Sequence, residues 1–116
     1  MITPILLASL ILSLSQIQAK FEEVKAQVIE EKTIRFNELD PLLQKIALCE
    51  SHARQSARGP LGEIGIFQVR PEVWNKKAKE MGLDIYHANE NMEFGVWLFE
   101  THGTRPWLAS KKCWSK

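Results

Sequence analysis

The feature that most constrains this chain is a helix with a marked start and a carboxylate on its buried face. Asp40 followed by Pro41 is a helix start, with Asp as the N-cap and Pro at the first helical position. From there Leu43, Ile46 and Ala47 recur at the spacing of one apolar face, predicting a helix from about Pro41 to Ala53. Glu50 is the next member of that series, and at ~100° per residue its side chain joins the same stripe. A carboxyl pressed against apolar surface is costly to ionise, so its pKa should rise. An acid that stays protonated near neutral pH is what protonation of a glycosidic oxygen requires. The plainer alternative is a Glu at the stripe's edge that reaches water or pairs with an Arg, as most Glu residues do.

The chain has 116 residues, enough for one small domain. Residues 1–19 contain no charged side chain, and Ile5 to Leu14 is an apolar run ending in Ser15-Gln16-Ile17-Gln18-Ala19. That reads as a secretory signal cut after Ala19 or Ser15. The alternative is an uncleaved membrane anchor, but the run falls short of the ~20 residues that a span needs. Residues 20–38 form a charged N-terminal arm or short helix, with Phe21, Val24 and Val28 at helical spacing. The folded domain is expected over residues 39–116.

Export places the two cysteines, Cys49 and Cys113, in an oxidising compartment, where two cysteines usually form one disulfide. Buried free thiols are the alternative for a cytosolic chain. No metal site or cofactor is expected, since two cysteines and three unspaced histidines supply no ligand set. A net charge of +1 gives no bulk attraction to nucleic acid. Residues 101–116 carry four bases and no acid, a patch suited to an anionic polymer or simply a solvated face.

Beyond Ala53, Gly59-Pro60 and Gly62 mark a loop. Glu63 to Val69 is apolar and interrupted by Gly65, which predicts a tight strand-like turn with close backbone approach. Pro71 opens a helix carrying Trp74, Ala78 and Met81, and Gly82 ends it. Asn89 is the expected cap of a further helix to about Thr101, with Met92, Gly95, Val96 and Phe99 on one face and Phe94 and Trp97 extending the apolar surface. The expected fold is therefore mainly α, a small α+β domain with a minor β turn or hairpin after the Glu50 helix. An acid at a helix end facing a short β turn is a lysozyme-like arrangement.

Several motifs carry a resemblance in order and spacing. They are Cys49-Glu50-Ser51, Gly65-Ile66-Phe67-Gln68, Trp74, and Gly103-Thr104-Arg105-Pro106-Trp107 with a following cysteine. Together they resemble the transglycosylase-like domains of resuscitation-promoting factors. They also resemble the soluble lytic transglycosylases, which carry a Glu-Ser pair and a Gly-x-x-Gln motif. The segment Asn91 to Leu98 is similar to the late Asn-containing helix of the latter. The resemblance covers about residues 40–114. It implies that Glu50 is the catalytic acid, that Gln68 is the cleft glutamine that hydrogen-bonds sugar, and that Trp74 lies near the cleft or in the core. It also implies a bridge between Cys49 and Cys113. One departure stands out: the soluble enzymes usually carry an Ala-Tyr-Asn motif after the late helix, which is missing here. Tyr86 lies in a loop of the wrong register to replace that tyrosine.

What the resemblance implies is cleavage of the β-1,4 bond between N-acetylmuramic acid and N-acetylglucosamine in peptidoglycan. The expected protein is a secreted, periplasmic or envelope monomer acting on glycan strands, touching membrane only through an uncleaved leader. A lytic transglycosylase needs one carboxylate, whereas a muramidase would more often show a second. Glu63 is the candidate for that second group and for substrate contact, and Asp84 a weaker one. Trp74, Tyr86, Trp97 and Trp107 are candidates to stack on sugar faces. Of these, Trp107 is the favoured platform and Trp97 the one expected in the core. From another class, a non-catalytic glycan-binding module remains an alternative; its mark would be loss of the acid, and Glu50 is present.

Overall fold

Asp40 opens its helix through its side chain, which accepts a hydrogen bond from the Leu42 backbone N–H at 2.8 Å, while Pro41 takes the first helical position. This computed structural model describes residues 13–24 and 34–116. Residues 13–24 form helix α1, which exposes Leu14, Ile17, Phe21 and Val24. The expected cut after Ala19 falls within α1. Most of the Ile5–Leu14 run, and Val28 with the rest of residues 25–33, lie outside the described residues. Among the described residues, no helix is long and apolar enough to cross a membrane.

The unit from Ile34 to Lys116 is mainly helical. A 3-10 turn, Phe36–Glu38, leads into α2, Pro41–Ser51. Leu43, Ile46 and Ala47 are buried, as their spacing predicts. The helix stops two residues before the expected Ala53, because His52 and Ala53 both take left-handed backbone angles, with φ of 54° and 57°. Consecutive left-handed residues cannot continue a right-handed helix.

Between α2 and the next helix, the minor β element reduces to isolated antiparallel bridges, Arg58 with Ile64 and Ile64 with Val69. Gly65 turns this segment at φ 77°, a conformation that L side chains rarely adopt. Helix α3 follows over Pro71–Glu80, and Gly82 stands just past it at φ 74°. Helix α4 covers Ala88–His102. Its N-cap position is His87, so Asn89 lies inside the first turn and is not the expected cap. A 3-10 helix, Arg105–Ser110, and the short α5, Lys111–Trp114, complete the chain and pack against α2.

The buried face of α4 differs from the expected one. It consists of Asn91, Met92, Phe94, Gly95 and Leu98, with Val96 and Phe99 only partly covered. The reason is Phe67, fully buried in the turn after α2. Its ring lies against Gly95, where any Cβ would overlap it. The turn therefore sets which side of α4 faces inward. Trp107 also packs on Phe67, with ring centroids 5.8 Å apart. Trp114 donates its indole N–H to the Trp107 carbonyl at 3.0 Å, which seals the C-terminal end of the core.

Cys49 and Cys113 form a disulfide, which ties α5 to the last turn of α2. Closing 64 residues of chain stabilises by roughly 4 kcal/mol through unfolded-state entropy. Thiol titration of the unfolded, unreduced protein should find no free thiol, and reduction should lower the Tm; two titratable thiols would refute the bridge. Gly95→Ala should cost about 1–3 kcal/mol in denaturant unfolding, as overpacked cores do. Combining it with Phe67→Leu should give a loss smaller than the two single losses added together, because the shorter side chain yields to the new methyl.

Candidate active site

Glu50 sits in the last turn of α2, one residue beyond Cys49. The apolar stripe carries it toward the core, and the helix end leaves it half-buried. Ser110, at the end of the C-terminal 3-10 helix, donates its hydroxyl to Glu50 Oε1 at 2.6 Å. Burial pushes the Glu50 carboxyl above its ordinary value. The Ser110 bond opposes that rise, and the negative charge of Glu63 adds to it. The group that the helical spacing singles out is thus a carboxyl biased toward its protonated form, with a second carboxylate within electrostatic reach.

The turn Gly65–Gln68 faces this helix end, and side chains from distant segments hold its backbone. Ser51 donates its hydroxyl to the Ile66 carbonyl at 2.7 Å. Gln55 accepts from the Ile66 N–H at 3.2 Å. Asn91, fully buried on α4, accepts from the Phe67 N–H at 3.0 Å and donates to the Ile64 and Ile85 carbonyls, each at 2.9 Å. Trp107 donates its indole N–H to the Phe67 carbonyl at 2.9 Å. Gly65 has no room for a side chain, since a Cβ would meet the amides of Gln55 and Asn91.

Gln68 closes the turn at φ 50°, a left-handed angle that is costly for a residue with a side chain. Its amide nitrogen donates to the Gly65 carbonyl at 2.9 Å and to the Ala57 carbonyl at 3.2 Å. Both donors are thereby spent on the protein, and Gln68 offers its Oε1 as an acceptor only. Glu63 lies beside it. A Cβ on Gly59 would stand 2.5 Å from Glu63 Oε2 and 2.8 Å from Gln68 Oε1, so both side chains lie over that glycine. Glu63 Oε1 also accepts from the Leu61 N–H at 2.6 Å. The arrangement thus joins a raised carboxyl, a second carboxylate and a fixed amide oxygen.

The transglycosylase SLT domain family matches residues 27–106. This chain belongs to that family. No curated protein and no solved structure matches it. The SLT match begins inside the segment read as an N-terminal arm and ends before Ser110 and Cys113.

Trp107 is not a sugar platform in this SLT domain. It is 3% exposed, with its ring on Phe67 and its N–H on the turn, so neither face is open to a ligand. Trp74 is half-buried in an aromatic cluster with Phe94, Trp97 and His102. Lys77 Nζ lies 5.4 Å from the centre of the Trp97 ring. Tyr86 is exposed, with the Arg58 guanidinium 5.7 Å over its ring, and it is not the hydroxyl partner of Glu50. Asp84 accepts from the Tyr86 N–H at 2.9 Å and organises the loop ahead of α4. Among the described residues no group of three His, Cys, Asp or Glu side chains could hold a metal ion.

The residues that sequence reasoning missed are Ser110, Gln55 and the clamping roles of Ser51 and Asn91. Ser110 has no local signal, because nothing near it in the chain predicts a carboxyl sixty positions away. Asn91 had a detectable one. A polar residue inside an apolar helix face needs buried partners, and a turn with a tight glycine is a source of them.

Glu50 gives a pH-dependent stability of defined sign. Between the ordinary carboxylate value and its raised one, the folded chain keeps a proton that the unfolded chain has released. Stability therefore falls as pH rises through that window. Glu50→Gln removes the titration, so its Tm relative to wild type should be lowest in acid and climb toward neutral pH. A difference that stays flat across that range would show that the carboxyl is not raised.

Proposed function

We propose that this SLT domain is a peptidoglycan lytic transglycosylase acting on the β-1,4 bond between N-acetylmuramic acid and N-acetylglucosamine. The carrying observation is Glu50, a half-buried carboxyl biased toward its protonated form beside the Gly65–Gln68 turn. Membership of the transglycosylase SLT family supports peptidoglycan as the substrate. A cell-wall substrate and the disulfide support an extracytoplasmic location, with residues 1–19 as the export signal, 20–38 as an arm and 39–116 as the catalytic unit.

In this reading Glu50 gives its proton to the glycosidic oxygen as an oxocarbenium-like centre develops. The C–O bond breaks, and the N-acetylglucosamine side leaves as an alcohol. Glu50, now ionised, takes the proton of the muramoyl 6-hydroxyl, whose oxygen closes on the anomeric carbon. The product is a 1,6-anhydro sugar, and Glu50 is protonated again. Intramolecular capture has an entropic advantage over recruiting water once the sugar is bound. Gln68 Oε1, with its donors held by the turn, accepts from a sugar hydroxyl or acetamido N–H.

A second reading, a muramidase, draws on Glu63, whose charge acts on Glu50. Here Glu63 would activate water against the same oxocarbenium centre. Its bond from the Leu61 N–H also suits a carboxylate that shapes the loop, and for that reason the lytic route is preferred.

Mass spectrometry of muropeptides separates the two, because anhydro and reducing ends differ by one water. Wild type and Glu63→Gln should both release anhydromuramoyl ends, and Glu50→Gln should release nothing while keeping its fold. Reducing ends from wild type that disappear in Glu63→Gln would make this enzyme a hydrolase.

A further inference from the structure

The one tyrosine of this chain, Tyr86, is not the hydroxyl partner of Glu50. The hydroxyl that reaches Glu50 belongs to Ser110, four residues beyond the end of the family match. We propose that Ser110 is the positioning residue for the catalytic proton: by donating to Glu50 Oε1, it leaves that proton on Oε2, the oxygen that meets the glycosidic bond.

The argument runs from hydrogen-bond inventory. A neutral carboxyl has one oxygen that donates and one that accepts. Ser110 donates to Oε1, and Oε2 takes no bond among the described residues. With Oε1 engaged as the acceptor, the acidic hydrogen belongs on Oε2. If the proton sat on Oε1 instead, the hydroxyl would have to turn away. An acceptor is at hand for that turn, the Trp107 carbonyl at 3.1 Å. Ser110 is therefore a rotor with two acceptors, and its choice decides which carboxyl oxygen is acidic. The 2.6 Å separation suits a hydroxyl facing a carboxylate, so the same bond can hold Glu50 after it gives up its proton.

The surroundings keep Ser110 in place. Cys113 follows it by three residues and is bridged to Cys49, the neighbour of Glu50. The buried Trp107, within the same 3-10 helix, anchors it through its bond to Phe67. Glu63, from the loop after α2, is the charged group acting on Glu50, while Lys111 and Lys112 beside Ser110 are exposed.

The test compares wild type with Ser110→Ala and Ser110→Thr, and it rests on Glu50 being the acid of the proposed reaction. Donation to Glu50 favours the ionised form, so its removal should raise the Glu50 pKa. Carbon-13 NMR of the labelled carboxyl should show Glu50 titrating at higher pH in Ser110→Ala and near the wild-type position in Ser110→Thr. On purified cell walls, kcat should fall by roughly 10- to 100-fold in Ser110→Ala, with KM little changed. The alkaline limb of its pH profile should move upward, and Ser110→Thr should recover most of the rate. A packing role would lower Tm without moving the titration. An unmoved Glu50 titration in Ser110→Ala would overturn the proposal. Wild-type protein that releases no muropeptide, with the NMR shift still present, would refute the proposed function but leave the Ser110–Glu50 pairing standing.

Discussion

The structure depends on a short turn whose backbone is satisfied by side chains from elsewhere in the chain. Gly65 to Gln68 runs through the core, where unpaired backbone groups are costly. A sheet would normally supply partners, but here only isolated bridges flank the turn. Ser51, Gln55, Asn91 and Trp107 take over that task, each from a different stretch of sequence. The same four contacts bring the end of α2, the loop, α4 and the C-terminal segment to one place. Core packing follows from them, since Phe67 is pinned at its N–H and its carbonyl and then sets the face of α4 through Gly95.

This construction explains why a site can sit beside such a small core. The reaction proposed for Glu50 requires neighbours that are themselves fixed. Glu50 is one residue before Ser51, which is bonded to the turn, and one residue after Cys49, which is bridged to α5. Its backbone is therefore tied on both sides. Gln68 is held at an angle it would not choose alone, with both amide donors committed. Burial at this junction is also what raises the Glu50 carboxyl, so the packing that stabilises the domain favours its protonated form as well.

Much of the fold was legible because it rests on local rules. The Asp40 cap, the prolines that open α2 and α3 and the glycines past α3 and α4 act within a few residues of their own positions. Glu50 was legible for the same reason, since its place on the stripe follows from helical geometry. The errors had nonlocal causes. Trp107 beside Pro106 reads as an exposed platform, yet its partner is Phe67, far away in the chain. The face of α4 was misjudged because an Asn and a Gly are buried on it in answer to the turn.

By itself the sequence determined that three principal helices form, where the prolines open α2 and α3, and which carboxyl lies on a buried stripe. These are matters of spacing, and spacing along a chain is local. Only the tertiary structure decided which hydroxyl meets Glu50, that the amide donors of Gln68 are committed to the protein, and that Trp107 supports the turn. Each of those is a pairing between segments far apart in sequence, settled by which buried donors and acceptors can satisfy one another. No periodicity encodes such a choice, because it exists only once the segments have come together.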